Sequence, residues 1–166
     1  MRRMNRAGVI PLPATILAAL LGLTGEAAAE AAQPPAQTPF NPGIADLMNI
    51  IVQPRHTKLW YSGREGNWTL AEYHTKELRA AFANVARARP RFRDQPVAEL
   101  IEMFMSASLR TLDDVLKAKD AAKFPEAYAG INAGCNACHA AVGLPFIVIR
   151  TPEVPAYPDQ EFRPPR

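Results

Sequence analysis

The placement of proline limits what this chain can fold into more than any other feature. Sixteen of its 166 residues are Pro, and most lie towards the two ends. Pro locks φ and removes a backbone donor, so it breaks helix interiors. The middle is sparse in Pro, and apolar residues recur there at helical spacing. The pattern predicts an all-α unit at 42–143, organised as an antiparallel up-down-up-down four-helix bundle. It is preceded by a signal peptide at 1–29 and a flexible linker at 30–41, and followed by an extended Pro-rich tail at 144–166.

Four apolar stripes mark the helices. The first runs through Ile44, Leu47, Met48, Ile51 and Leu59, after an Asn41-Pro42 start. Pro54 is expected to bend or split it. The second stripe is Leu70, His74, Leu78, Ala81, Phe82 and Val85, opened by a cap at Thr69 or Asn67 and stopped at Pro90. The third is Val97, Leu100, Ile101, Phe104, Leu112 and Val115, broken at Lys119-Asp120. The fourth is Phe124, Tyr128, Ile131, Cys135, Cys138 and Val142, with Pro125 near its start. No period-two alternation of strand length interrupts these stripes. After Gly143 the run Pro145 to Ile149 reads as extended, and we expect the tail to be ordered across the bundle.

The N-terminus has the order of an export signal: basic Arg2, Arg3 and Arg6, a short apolar stretch at 14–23, then Ala27, Ala28 and Ala29 for cleavage. Cleavage there takes the net charge from +3 to +1. The mature chain is nearly neutral, which argues against nucleic acid as a partner. The apolar stretch is about half a membrane span, so no stable span is expected after cleavage, and a periplasmic location follows. An uncleaved anchor is the alternative.

The chemistry concentrates in Cys135-Asn136-Ala137-Cys138-His139. C-x-x-C-H is the attachment spacing for haem c. On a helix, positions i, i+3 and i+4 share a face, so both thiols and the imidazole point together. Two thiols can add to two vinyl groups while the imidazole ligates the iron. The expectation is one covalent haem c through Cys135 and Cys138, with His139 as metal ligand. A disulfide, a thioredoxin-like pair and a zinc site compete. The disulfide loop would be very tight, the thioredoxin-like pair lacks its βαβ context, and zinc would need further ligands from His56, His74 or carboxylates.

Four helices with a single C-x-x-C-H near the end of the last one resemble the class II c-type cytochromes, which include cytochrome c′ and the low-spin cytochrome c-556 type. The likeness spans roughly 42–143. The segment Pro54-Arg55-His56-Thr57-Lys58-Leu59-Trp60, with Asn67-Trp68, also resembles an exported cytochrome-like subfamily of unassigned role. The Pro-rich tail and Pro54 depart from typical members. The resemblance implies a sixth ligand from a Met near the start of helix one, which here is Met48. In an up-down bundle that start lies beside the end of helix four. Met48 as ordinary packing is the alternative, and His56, roughly 12 Å further along a straight helix, is a rival ligand. His74 reads as a hydrogen-bonded core residue, and Met103 and Met105 as packing.

The pocket wall is expected from Phe82, Val85, Leu100, Ile101 and Phe104. Arg87, Arg89, Arg91 and Arg93 crowd one loop, where they could pair with haem propionates, steer an acidic redox partner or simply be solvated. Arg55 is a further propionate candidate. The leading function is single-electron transfer with redox partner proteins, not enzymatic catalysis. Five-coordinate gas binding or sensing is the second reading, and a non-haem helical metal-binding or structural module is the third. The resemblance also makes a homodimer possible.

Overall fold

The structure is a computed structural model that describes residues 40–154 and 156–165. The expected signal peptide, and the linker up to residue 39, lie outside the described residues. What is described is all-α apart from one minimal hairpin.

The first helical segment runs over 44–64 in three parts: α1 (Ile44–Leu47), a π-helical turn (Met48–Val52) and α2 (Gln53–Arg64). It starts two residues later than Asn41-Pro42 suggested. Gly43 is the N-cap, and its N–H donates to the Asp46 carboxylate at 3.0 Å. Pro54 does not break the helix. Pro has no N–H to return to the preceding turn, and the chain absorbs this by widening that turn, with Gln53 N–H bonding the Met48 carbonyl five residues back. The Arg55 guanidinium donates to the Ile51 carbonyl at 2.7 Å in the same stretch.

The wide turn shifts the buried stripe. Burial steps from Leu47 to Val52, then to His56 and Leu59. The extra residue carries the inner face from Ile51 to Val52 and brings His56 inside, where an uninterrupted 3.6-residue period places it off-centre.

The next helix, α3 (Trp68–Ala88), is capped by Asn67, whose side chain accepts from Leu70 N–H at 3.2 Å. Then β1 (Arg91–Phe92) pairs antiparallel with β2 (Gln95–Pro96). Arg93 and Asp94 between them both have positive φ, 46° and 63°, as a tight hairpin turn requires. The helix α4 (Val97–Ala118) ends at Lys119 in the left-handed region, φ 53°. The last, α5 (Phe124–Ala141), accepts Pro125 in its first turn, where the lost N–H would have no partner.

Helix α2 packs on α3, α3 on α4, α4 on α5, and α2 touches α5. The core between them includes Leu59, Leu78, Leu112, Tyr128 and Ile131, all essentially inaccessible. In α4 the buried face passes through Met105 and Leu109, while Phe104 is only half-buried. No helix among the described residues is long and apolar enough to cross a membrane.

Beyond α5 the chain reverses at Gly143, φ 75°. Gly143 N–H returns to the Ala140 carbonyl and Leu144 N–H to the His139 carbonyl, a Schellman closure. The tail then lies on the helices as expected. Tyr61 hydroxyl bonds the Val154 carbonyl, Asn67 holds the Arg163 carbonyl, and Phe162 is buried against Tyr61.

Candidate functional site

An apolar cavity of about 440 Å³ opens at one end of the helices. That is the size range of cofactor pockets. Cys135, Cys138 and His139 of α5 all line it, together with Met48 of the π turn. The α-helical spacing of three and four residues puts the two sulfurs and the imidazole on one wall. The wide turn after Leu47 presents Met48, Val52 and His56 to the same space. Phe82 and Leu78 of α3 line it, as do Leu100, Ile101 and Met105 of α4. Phe92 of the hairpin and Leu144, Ile147 and Ile149 of the tail complete the wall.

Of the residues expected at the site, Cys135, Cys138, His139, Met48 and Phe82 are thus together. Phe104 is not on the cavity wall. The step from Ile101 to Met105 carries the inner face past it, and its carbonyl instead backs onto Gly134 of α5. Arg55 also lies off the wall, bonded to the Ile51 carbonyl and paired with Glu77 at 3.5 Å. The loop arginines are engaged with other groups of the protein. Arg93 donates to the Val142 and Gly143 carbonyls at 2.9 and 3.3 Å, Arg89 to the Asn41 carbonyl, and Arg87 to Asn84. Arg93 therefore binds the hairpin to the C-terminal end of α5, where cations are favoured.

Both cysteines are free thiols. Burial pushes the Cys135 thiol up to about 12 and raises that of Cys138. This is opposite to the lowered pKa that a thiol-exchange pair needs. Among the described residues no group of three or more His, Cys, Asp or Glu is placed to hold a bare metal ion. The zinc alternative thus lacks a ligand set there. An apolar chamber with two thiols and an imidazole on one wall suits a large, flat, mostly apolar group that both sulfurs can reach.

His56 is committed elsewhere. Asn132 Nδ2 donates to Thr151 Oγ1 at 3.0 Å, so Asn132 Oδ1 is the acceptor facing His56 Nε2 at 2.7 Å. The imidazole therefore carries its proton on Nε2. Its Nδ1 accepts from the Tyr128 hydroxyl at 3.0 Å, and that hydroxyl is equally close to the His56 carbonyl. Burial lowers the His56 pKa, against an opposing contribution from the Asn132 hydrogen bond. Ligation through either nitrogen would break a buried hydrogen bond. His74 is buried as expected, but its Nε2 has no hydrogen-bond partner among the described residues. Burial, then the nearby Lys58, bring its pKa down to about 4.

The sequence places the tail across the bundle but does not disclose the polar ladder that holds it there. Asn136 Nδ2 donates to the Ile149 carbonyl at 2.9 Å, and Ile149 N–H donates back to Asn136 Oδ1 at 2.7 Å. His139 Nδ1 lies 3.0 Å from the Ile147 carbonyl. The available signal was the spacing of Asn132, Asn136 and His139, which share one helical face. Comparison with protein-family models, with curated proteins and with solved structures finds no match for this chain.

Proposed function

We propose that this chain is an exported c-type cytochrome that transfers single electrons. It would carry one haem c through Cys135 and Cys138, and His139 and Met48 would ligate its iron. The observation that carries the reading is the meeting of both C-x-x-C-H thiols, His139 and Met48 in one apolar cavity. Met48 and His139 are about ninety residues apart in sequence, so no local pattern brings them together. The neighbour order of the helices, with the first segment touching α5, supports an up-down-up-down bundle.

A bound haem supplies a one-electron iron couple. The protein's own residues supply the rest. Cys135 and Cys138 provide the two sulfurs for thioether bonds, which hold the group regardless of its dissociation constant. His139 offers one ring nitrogen, and Met48 a thioether sulfur, a ligand type that raises the potential. Val52, Phe82, Leu100 and Ile149 keep water away, which strengthens the electrostatic effect of every neighbouring dipole. His56 remains a spectator because its two nitrogens are already bonded. The partner class is another redox protein.

The test is an optical spectrum of the protein, produced where c-type cytochromes mature, reduced with and without carbon monoxide. A sharp low-spin spectrum that ignores the gas supports a filled sixth position. A high-spin spectrum that shifts with the gas moves the reading to five-coordinate gas binding. No covalent haem refutes the reading of Cys135, Cys138 and His139.

A further inference from the structure

We infer that the C-terminal strap, 144–151, is a built-in positioning element for His139, with Asn136 as the residue that pins it. The inference rests on the haem reading above.

Three polar side chains on one face of α5 meet three alternate residues of the strap. His139 meets the Ile147 carbonyl, Asn136 meets both backbone groups of Ile149, and Asn132 meets Thr151 Oγ1. The strap runs back along the helix that it follows, turned by Gly143. Seven helical residues rise about 10.5 Å and four extended residues span about 13 Å, close enough for three consecutive pairings. The doubly bonded Asn136 is the centre of this ladder and fixes its register.

The contact at His139 determines which nitrogen is free. A carbonyl oxygen only accepts, so the His139 nitrogen facing Ile147 must carry the proton. In the neutral ring that ligation requires, His139 is therefore the Nδ1–H tautomer with its lone pair on Nε2, which has no hydrogen-bond partner among the described residues. A ligating imidazole held through its other N–H has its ring orientation set and its basicity raised. Here the acceptor is a backbone carbonyl on a strap outside the helices. Ile147 and Ile149 also line the cavity, so the same segment orients the ligand and closes the wall.

The experiment compares the full-length haem-loaded protein with Asn136→Ala, Asn136→Asp and a truncation after Gly143. Covalent haem is checked by mass, the Ile149 amide and the His139 Nδ1–H are followed by proton exchange in NMR, and the midpoint potential is measured. Asn136→Ala is expected to keep its haem and to speed exchange at both protons about tenfold or more, since it removes two hydrogen bonds. Its midpoint is expected to rise as the imidazole loses basicity. Asn136→Asp keeps the acceptor for Ile149 N–H and should fall between. The truncation should lose the Nδ1–H protection entirely. If Asn136→Ala and the truncation both carry haem with unchanged exchange at Nδ1–H, the strap inference is wrong and the haem reading stands. If the parent carries no covalent haem, both fail.

Discussion

Two glycines one turn apart in α5 should respond to the same substitution with opposite signs. A Cβ added at Gly134 would sit 2.5 Å from the Phe104 carbonyl oxygen and 2.9 Å from Met105 Sδ. Ordinary contact begins near 3.4 Å, so the carbonyl must retreat by about 0.9 Å. The sulfur ends a flexible side chain and can swing aside, but the carbonyl belongs to the α4 backbone and moves only with the helix. Overpacking of this kind costs about 1–3 kcal/mol, against a gain of about 0.8–1 kcal/mol from replacing Gly by Ala in a helix. The backbone clash favours the upper part of that range, so Gly134→Ala should lose about 1–2 kcal/mol. At Gly130 the nearest atoms to an added Cβ are Ser108 Oγ and Cβ at 3.7 and 3.8 Å. Nothing need move there, and Gly130→Ala should gain about 0.5–1 kcal/mol. Thermal and urea melts followed by far-ultraviolet circular dichroism, with parent and variants in one cofactor state, should separate the two midpoints by about 10 °C. Equal signs for the two variants would refute the close approach of α4 and α5 beside Cys135.

Three further outcomes can be checked directly. Tyr128→Phe removes the hydroxyl proton that His56 Nδ1 accepts; leaving this buried acceptor unpaired should cost about 1–3 kcal/mol in a urea melt. His74 binds its proton less readily when folded, with a pKa near 4 against 6.5 unfolded. Its contribution to stability is therefore present above about 6.5 and is lost as pH falls towards 4. His74→Leu should flatten the stability profile in that window, and because Nε2 has no partner among the described residues it sacrifices no hydrogen bond there. On the proposed cytochrome reading, Met48→Ala should keep covalent haem and admit carbon monoxide to the reduced protein, raising the fraction that shifts spectrum on adding the gas from near zero to near complete.

Helix positions were largely legible because their causes are local. Asn67 against Thr69 was a choice between two caps three residues or fewer from the groups they bond, and Lys119-Asp120 stops α4 through the backbone conformation of one residue. The stripe of α4 was read one position out at Phe104. The rows through Leu100 and Ile101 permit either continuation, and only contact with α5, where Gly134 admits the Phe104 carbonyl, selects Met105 as the inward residue. The inward position of His56 was not legible for a different reason. A π turn changes the period itself, so a fixed 3.6-residue count leaves His56 off-centre, although it still places Leu59 inside. The basic loop showed its charge in the sequence but not its role, since the acceptors of Arg93 and Arg89 lie 49 and 48 residues away.

The chemistry divides in the same way. Cys135, Cys138 and His139 can be placed on one wall from residue spacing alone, because an α-helix converts intervals of three and four into a shared face. The direction of the chain after α5 is likewise written in Gly143, whose positive φ needs no tertiary contact. Tertiary packing alone brings Met48 to the cavity, encloses it with the tail and sets the Ile147 carbonyl against His139 Nδ1. Helical periodicity is set by bonds that reach four residues, whereas these meetings depend on how separate helices stack and on which carbonyl a folded-back strap happens to present.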